Sequence, residues 1–170
     1  MYSPKQSVRV MKNRYIKPDS VKVLEKLSFA CKRQKHPTIP AELLCKDYFR
    51  DDTANGLTKC IIAFIQLHGG QAERISTTGR CVDRTITYTD VVGITRTMGS
   101  VEWIPGTVTK GSADISATIK GRSVKIEVKI GRDKQSPAQI QYQKDIEAAG
   151  GQYFIAKDFT SFVEWYNQMF

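Results

Sequence analysis

The fold depends first on residues 111–130, which read GSADISATIKGRSVKIEVKI. Apolar and polar residues alternate from residue 114 to 119 and again from 124 to 130. This period of two is typical of β-strands that bury one face and keep the other polar. The intervening Lys120-Gly121 is a two-residue loop of the kind that closes a hairpin. The stretch therefore predicts two antiparallel strands.

The turn also determines which side chains share a face. If Lys120-Gly121 is the whole loop, Ile119 pairs with Arg122, and counting back along one strand places Asp114 opposite Glu127. A three-residue loop would put the two acids on opposite faces. The prediction that they form a site depends on this turn.

Two opposed carboxylates repel each other, because directly paired residues on a hairpin have Cβ atoms only about 4.5–5.5 Å apart. A cation between Asp114 and Glu127 would remove the repulsion. Oxygen ligands without His or Cys favour Mg²⁺, with Mn²⁺ as a substitute. Lys129 lies two residues after Glu127 and hence on the same face, where its ammonium could orient a water or stabilise developing charge. These groups are a minimal set for phosphodiester hydrolysis.

The competing interpretation of this face is a solvated strand surface with alternating charges. In either case we expect the polar face to be partly solvated, so that substitutions there open no cavity in the core.

Elsewhere, hydrophobic periodicity predicts helices and further strands in the order of an α/β sandwich with a mixed central sheet. The predicted elements are a helix at 19–35, a helix at about 55–68, a strand at 71–75, a hairpin excursion at 81–106, a helix from 137, a strand at 152–156 and a helix at 159–169.

Positive charge is concentrated near the N-terminus. Residues 1–50 contain 12 Lys or Arg against 4 Asp or Glu, within a chain of net charge +9. We interpret residues 1–50 as a basic helical extension that binds nucleic acid, and residues 51–170 as the main domain. The alternative is that the apolar side of helix 19–35 packs on the core or on a partner. The helix's basic residues are Lys22, Lys26, Lys32, Arg33 and Lys35.

Other features exclude several classes of protein. The four cysteines form no CxxC pair, and with two histidines no zinc spacing can be assembled. No apolar run is long enough to span a bilayer, and the basic N-terminus has no apolar stretch of a secretory signal. We expect a cytoplasmic protein without a membrane partner.

Three short motifs resemble those of the PD-(D/E)XK nuclease superfamily, most of all its VRR-NUC branch. They are Gly111-Ser112-Ala113-Asp114, then Glu127-Val128-Lys129, then Ser136-Pro137-Ala138-Gln139. The resemblance covers about residues 55–166 and includes Arg74 and the Thr78-Gly79-Arg80 turn. It implies a restriction-endonuclease-like αβββαβ core, a mixed sheet flanked by helices, with the basic extension outside it.

Carried over residue by residue, the resemblance implies that Asp114 and Glu127 bind the metal, with the Val128 carbonyl as a third ligand. Lys129 would orient the water, and Gln139 would support the site. Gln139 also has a structural explanation, because Ser136, Pro137 and Gln139 spell a helix capping box. Arg74 and Arg80 would contact nucleic acid.

One position departs from the branch, whose members carry an additional Glu on the helix before the first strand. Asn55 aligns with it, and its amide oxygen could coordinate a metal but brings no charge. Asn55 could equally be the N-cap of its helix. Asp51 and Asp52 are alternatives if the helix starts earlier.

The resemblance thus implies a Mg²⁺-dependent endodeoxyribonuclease, with branched or flapped DNA among its expected substrates. The alternatives are a DNA-binding module that keeps the fold without catalysis, or a structural protein whose basic arm binds RNA. We also expect a homodimer, because a single-site nuclease must pair two sites to cut both strands.

Overall fold

The computed structural model describes residues 15–76, 79–104, 106 and 109–170; Thr78, part of the predicted turn, lies outside these ranges. Mixed α/β structure is confirmed. The helices are α1 (Asp19–Lys35), α2 (Ala54–Leu67), α3 (Pro137–Ala148) and α4 (Phe159–Met169), and Ala41–Leu43 form a 3-10 turn. The strands are β1 (Gln71–Arg74), β2 (Arg80–Asp83), β3 (Ile86–Thr89), β4 (Thr95–Met98), β5 (Val101–Ile104), β6 (Ile115–Ile119), β7 (Arg122–Val128) and β8 (Gln152–Ala156).

The central sheet has four strands in the order β1-β6-β7-β8. β1, β6 and β7 are antiparallel neighbours, whereas β8 runs parallel to β7. The parallel pair requires a crossover, and α3 supplies it. The starts of β6 and the ends of β1, β7 and β8 therefore lie at one end of the sheet.

The predicted hairpin register is confirmed. Ile119 pairs with Arg122, and Ile115 pairs with Ile126. Lys120 and Gly121 both have positive φ, at 47° and 79°, the combination that a type I′ two-residue turn requires. Continuing the register by one step places Asp114 opposite Glu127.

One face of the sheet forms the hydrophobic core with α2, α4 and α1. Val21 and Leu24 of α1 are 0% and 1% exposed and belong to the same cluster as Ile126 and Phe162. Of the two interpretations of helix 19–35, packing of its apolar side on the core is therefore observed. Its N-terminal end is joined to α4 by a hydrogen bond between the hydroxyls of Ser20 and Thr160.

The excursion between β1 and β6 is a long two-stranded ribbon. β2 pairs with β5 and β3 pairs with β4 in one continuous register, from Arg80↔Ile104 to Thr89↔Thr95. We call residues 80–104 the β-arm. Its residues are mostly exposed, and its two-stranded pieces form no ladder with the central sheet in the described part of the chain.

Within the described ranges, no helix has the length and apolar character needed to cross a membrane.

Candidate metal centre

Asp114 and Glu127 are brought together at the end of the sheet where β6 begins and β7 ends. The Asp114 side chain accepts a hydrogen bond from the Val128 backbone N–H at 2.9 Å, and its backbone carbonyl accepts one from Ile75 at 2.8 Å. Asp114 therefore joins β1 and β7. A carboxylate offers about four lone-pair sites, so the bond from Val128 leaves the Asp114 side chain capacity for a cation.

Glu127 is a buried carboxylate with one unsatisfied oxygen. The residue is 1% exposed, and Oε1 accepts hydrogen bonds from Gln139 Nε2 at 2.5 Å and from Lys129 Nζ at 3.0 Å. Oε2 is buried and has no hydrogen-bond partner within the described structure. Burial raises the pKa of Glu127; the Lys129 hydrogen bond opposes this shift, and the charge of Asp114 adds to it.

Lys129 follows β7 directly and is 8% exposed. Its ammonium lies 3.0 Å from Glu127 Oε1 and 3.4 Å from Asp133 Oδ2. Burial opposes the charge and would lower the pKa of Lys129, but the hydrogen bond and the negative charge of Glu127, with a contribution from Asp133, outweigh it and raise that pKa. The lysine is thus held protonated beside the carboxylate pair.

The expectation of a partly solvated polar face is wrong at Glu127 and Lys129. Helix α3 crosses this face on the way from β7 to β8, as the Gln139–Glu127 bond and the edge-on contact of Tyr142 with Tyr153 show. Alternation in a strand distinguishes apolar from polar positions, but it does not reveal whether another element covers the polar side. At Glu127 and Lys129 the polar side is charged and also buried.

Gln139 forms the predicted capping box and also contacts Glu127. Its Oε1 accepts from the Ser136 backbone N–H at 2.8 Å and its backbone N–H donates to Ser136 Oγ, which completes the capping box of α3. Its Nε2 donates to Glu127. The helix cap therefore positions the amide that contacts the site.

Gly111 fits closely against the first turn of α3. It has a φ of +86°, and a Cβ built there would lie 2.4 Å from the Ala138 carbonyl oxygen. The backbone of the Gly111–Asp114 segment can approach α3 only without a side chain at this position. The first and third motifs are thus in direct contact.

The donor set fits a hard divalent cation. It consists of the Asp114 carboxylate, the unsatisfied Glu127 Oε2 and the Val128 carbonyl. Val128's N–H faces Asp114, and in a strand the C=O of a residue points to the same side as its N–H. No group of three or more His, Cys, Asp or Glu side chains suited to a metal occurs among the described residues. Two carboxylates would leave further positions for water and phosphate oxygens, as Mg²⁺ favours.

Asn55, Asp51 and Asp52 are the candidates for a further metal ligand, and each has a different position or makes other contacts. Asn55 is exposed on the first turn of α2, beside Arg50 and Lys59. It is not the N-cap, because Thr53 caps α2 by accepting from Gly56 N–H. Asp51 accepts from the Tyr15 hydroxyl and the Phe159 N–H, and Asp52 pairs with Arg50. Asp51 therefore ties α4 to the segment before α2, and Asp52 forms a surface ion pair.

The basic residues of α1 are not brought to the carboxylates. The helix starts near α4 and ends where Lys35 shares a depression with Leu67 and Gly69, at the opposite end of the sheet. It also lies on the core face, away from the Glu127 side chain. Lys22 pairs with Asp19, and Lys32 pairs with Asp47, whereas Lys26, Arg33 and Lys35 are exposed.

Other exposed cations lie on chain segments at the carboxylate end of the sheet. Arg74 ends β1 at this end, where its pairing with the buried Ile115 directs its side chain to the core face, and Arg80 lies at the base of the β-arm. Chain positions beside the site add exposed Lys110, Arg132, Lys134 and Lys157, three of them on segments that follow β7 and β8. We call Arg74, Lys110, Arg132, Lys134 and Lys157 the basic rim. Four of its members were not predicted from the sequence, because they are spread along the chain and form no run.

Tyr153 also lies beside the site without a signal in the sequence that predicts it. It lies on the α3 side of β8, and its hydroxyl is buried near Gln135 without a hydrogen bond of normal geometry. Burial first, and then the negative charge of Glu127, raise the pKa of Tyr153. In the sequence it reads only as one strand residue among several.

No family model matches this chain, and no curated protein matches it either.

Proposed function

We propose that the chain is a metal-dependent endodeoxyribonuclease, with Asp114, Glu127 and the Val128 carbonyl holding Mg²⁺ or Mn²⁺. The observation that carries the proposal is the buried Glu127 carboxylate, which has an unsatisfied oxygen beside a second acid and a protonated lysine. Burying such a group is costly unless something positive completes it. A bound cation would do so.

The arrangement of elements supports the same proposal. Helix α2, strand β1, the β6–β7 hairpin, helix α3 and strand β8 follow the αβββαβ order that the resemblance to PD-(D/E)XK nucleases implies. In this proposal the basic rim contacts phosphates and brings the DNA backbone to Asp114 and Glu127. Selectivity for branched or flapped DNA is part of the proposal.

The roles of the side chains follow from their contacts. A bound Mg²⁺ would polarise a phosphate oxygen and lower the pKa of a water ligand. Lys129 would stabilise negative charge that develops on the phosphate, because its ammonium is held within 3.0 Å of Glu127. Gln139 would orient Glu127 through its amide hydrogen bond.

The second candidate is a DNA-binding module without catalysis. It is favoured by Asn55, which is exposed and uncharged at the position where the branch carries a Glu. In this case the basic rim would bind DNA while the two carboxylates remained unable to support hydrolysis.

Cleavage assays on one panel of DNAs separate the two candidates. Labelled duplex, flap, four-way junction and single-stranded DNA would be incubated with Mg²⁺, Mn²⁺ or EDTA. We expect metal-dependent cleavage by the wild type and at least a 100-fold loss in Glu127→Gln, which preserves the size of the side chain. The matched control is Glu73→Gln, an exposed acid of β1 on the same face of the sheet.

Wild-type activity in Glu127→Gln would remove Glu127 from the site. DNA binding by the wild type without cleavage of any substrate, in either metal, would establish the binding module instead.

A further inference from the structure

The β-arm carries an apolar surface that the chain does not cover. From Arg80 to the Asp90–Ile94 tip, an extended strand spans roughly 30 Å at about 3.3 Å per residue. Ile86, Met98 and Ile94 are 69%, 62% and 54% exposed, and Val91 at the tip is fully exposed. A two-stranded ribbon on its own is at best marginally stable in water, so such an arm gains stability from a surface that covers it.

Cross-strand pairing shows that the distal half of the arm has two different faces. Ile86 pairs with Met98 and Tyr88 with Arg96, so these side chains lie on one face. The intervening pairs, Thr87 with Thr97 and Thr89 with Thr95, lie on the other face. Thr87 and Thr97 also hydrogen-bond through their hydroxyls at 3.1 Å. One face thus carries Ile86, Met98 and Tyr88 together with Arg96, and the other is built of threonines.

The charges of the arm indicate what covers the apolar face. Residues 80–104 contain Arg80, Arg84 and Arg96 against Asp83, Asp90 and Glu102, a net charge of zero within a chain of +9. Arg96 pairs with Asp90 at 2.9 Å, and Arg84 pairs with Glu102 at 3.1 Å. Polyanions are bound by surplus positive charge, which the arm lacks. A neutral arm is also where two copies of a strongly basic chain can approach with least repulsion.

We infer that the apolar face of the β-arm, formed by Ile86, Tyr88, Ile94 and Met98, docks against the same face of a second copy of this chain. An isologous contact requires one surface that is complementary to itself, and a largely apolar face on which Asp90 neutralises Arg96 meets this condition.

Docking of two arms extends the proposed function, because it would bring two metal centres into one assembly. This consequence rests on the proposed function. The arm leaves the sheet between Arg74 and Asp114, at the carboxylate end. Two chains joined through their arms would therefore hold two metal centres in one assembly, as cutting both strands of a duplex or junction requires.

The test compares substitutions on the two faces of the same strands. Ile86→Glu combined with Met98→Glu places charge on the apolar face, and Thr87→Glu combined with Thr97→Glu is the matched control on the threonine face. The molar mass of each protein is measured by light scattering at high and low concentration, in EDTA and without DNA. We expect the wild type and the threonine-face variant to have twice the mass of the apolar-face variant.

A third variant, Ile86→Thr with Met98→Thr, removes the apolar side chains but retains a high β-propensity. It therefore controls for unfolding of the arm as a cause of dimer loss. It should weaken the dimer as well, and the melting temperature of each variant should stay near that of the wild type, since the arm lies outside the core. A monomeric wild type would overturn the inference. So would a dimer unaffected by either apolar-face variant, or equal loss of the dimer in the control.

Because the assay contains neither metal nor DNA, its outcome does not depend on cleavage. A dimer without nuclease activity would contradict only the proposed function. If the wild type is monomeric and the apolar-face variant loses DNA binding, the arm binds nucleic acid and the inference is wrong.

Discussion

At the scale of single residues, the geometry of the site depends on Gly111 as much as on its charged groups. The residue has positive φ, and the Ala138 carbonyl oxygen occupies the space where a side chain would begin. Gly121 also has positive φ but faces open space. The two glycines share a left-handed backbone conformation and differ in steric surroundings, so they form a matched pair.

We predict that Gly111→Ala impairs cleavage and that Gly121→Ala does not. Both substitutions should cost roughly 1–2 kcal/mol for a left-handed non-glycine residue. Gly111→Ala should cost about 1–3 kcal/mol more, because its methyl group displaces α3 and with it Gln139. Urea unfolding and cleavage rates measure these effects. Equal losses in the two variants would show that the contact with Ala138 is unimportant.

At the scale of elements, the cap of α3 and the site share one side chain. Ser136 only caps the helix, whereas Gln139 caps it and also contacts Glu127. Substitutions of the two residues therefore separate helix stability from support of the carboxylate.

We predict that Ser136→Ala costs about 1 kcal/mol of stability and leaves most of the cleavage activity. Gln139→Ala should cost a similar amount and reduce the cleavage rate at least 10-fold, because Glu127 loses its amide donor. The measurements are thermal unfolding and turnover at saturating DNA. If both variants lose activity in proportion to their stability, Gln139 acts only through the helix.

A second element-scale prediction concerns Asp47, which fastens α1 to the segment before α2. The carboxylate accepts from Lys32 at 2.7 Å and from Ser28 at 2.5 Å, and these bonds lower the pKa of Asp47 below its ordinary value of 3.8. A carboxyl whose folded pKa is lowered stabilises the fold above its unfolded pKa. This stabilisation is lost as the pH falls through the folded pKa.

Asp47→Asn should therefore lower stability at pH 7 by roughly 1 kcal/mol, because the pair is about one-third exposed. The difference from the wild type should shrink as the pH falls below about 3.8. Chemical unfolding of both proteins from pH 7 to below this pH measures the difference in stability. Asp19→Asn, which removes an exposed ion pair of α1, is the control. If the stability difference between Asp47→Asn and the wild type did not change with pH, the hydrogen bonds of the ionised Asp47 carboxylate would be excluded as its cause.

At the scale of the whole molecule, positive charge is distributed over the two ends of the central sheet. The C-terminal cations of α1 lie at the end opposite the carboxylates, and Val21 and Leu24 fix α1 in the core. Removing residues 1–39 would therefore expose the core as well as remove charge. Substitutions at exposed side chains give a cleaner measurement of where DNA binds.

We predict that Arg132→Gln, Lys134→Gln and Lys157→Gln together flatten the slope of log K against log salt by roughly 2–3 units, since each phosphate contact contributes about 0.9. The matched triple variant in α1, at Lys26, Arg33 and Lys35, should change the slope by less than about one unit. Binding would be measured in EDTA. A larger change in the α1 variant would support the alternative, in which the basic N-terminal segment binds DNA.

Local sequence patterns predicted the register of the central hairpin and the bounds of several helices. The Lys120-Gly121 turn and the alternation around it predicted the register that places Asp114 opposite Glu127, because a two-residue loop permits only one pairing. Helical periodicity predicted α1 and α4 with their observed bounds, and the capping-box spacing predicted the start of α3. These features depend on residues that are near one another in the chain.

Only the tertiary structure decided what covers each surface. Contacts between distant segments decide that α3 buries Glu127 and that Gly111 contacts Ala138. They also decide that the last cations of α1 point away from the site and that the basic rim is assembled from separate loops. Such contacts leave no periodic pattern in the sequence. They arise from how the crossover helix and the sheet pack together, which the alternation of residues within one strand does not encode.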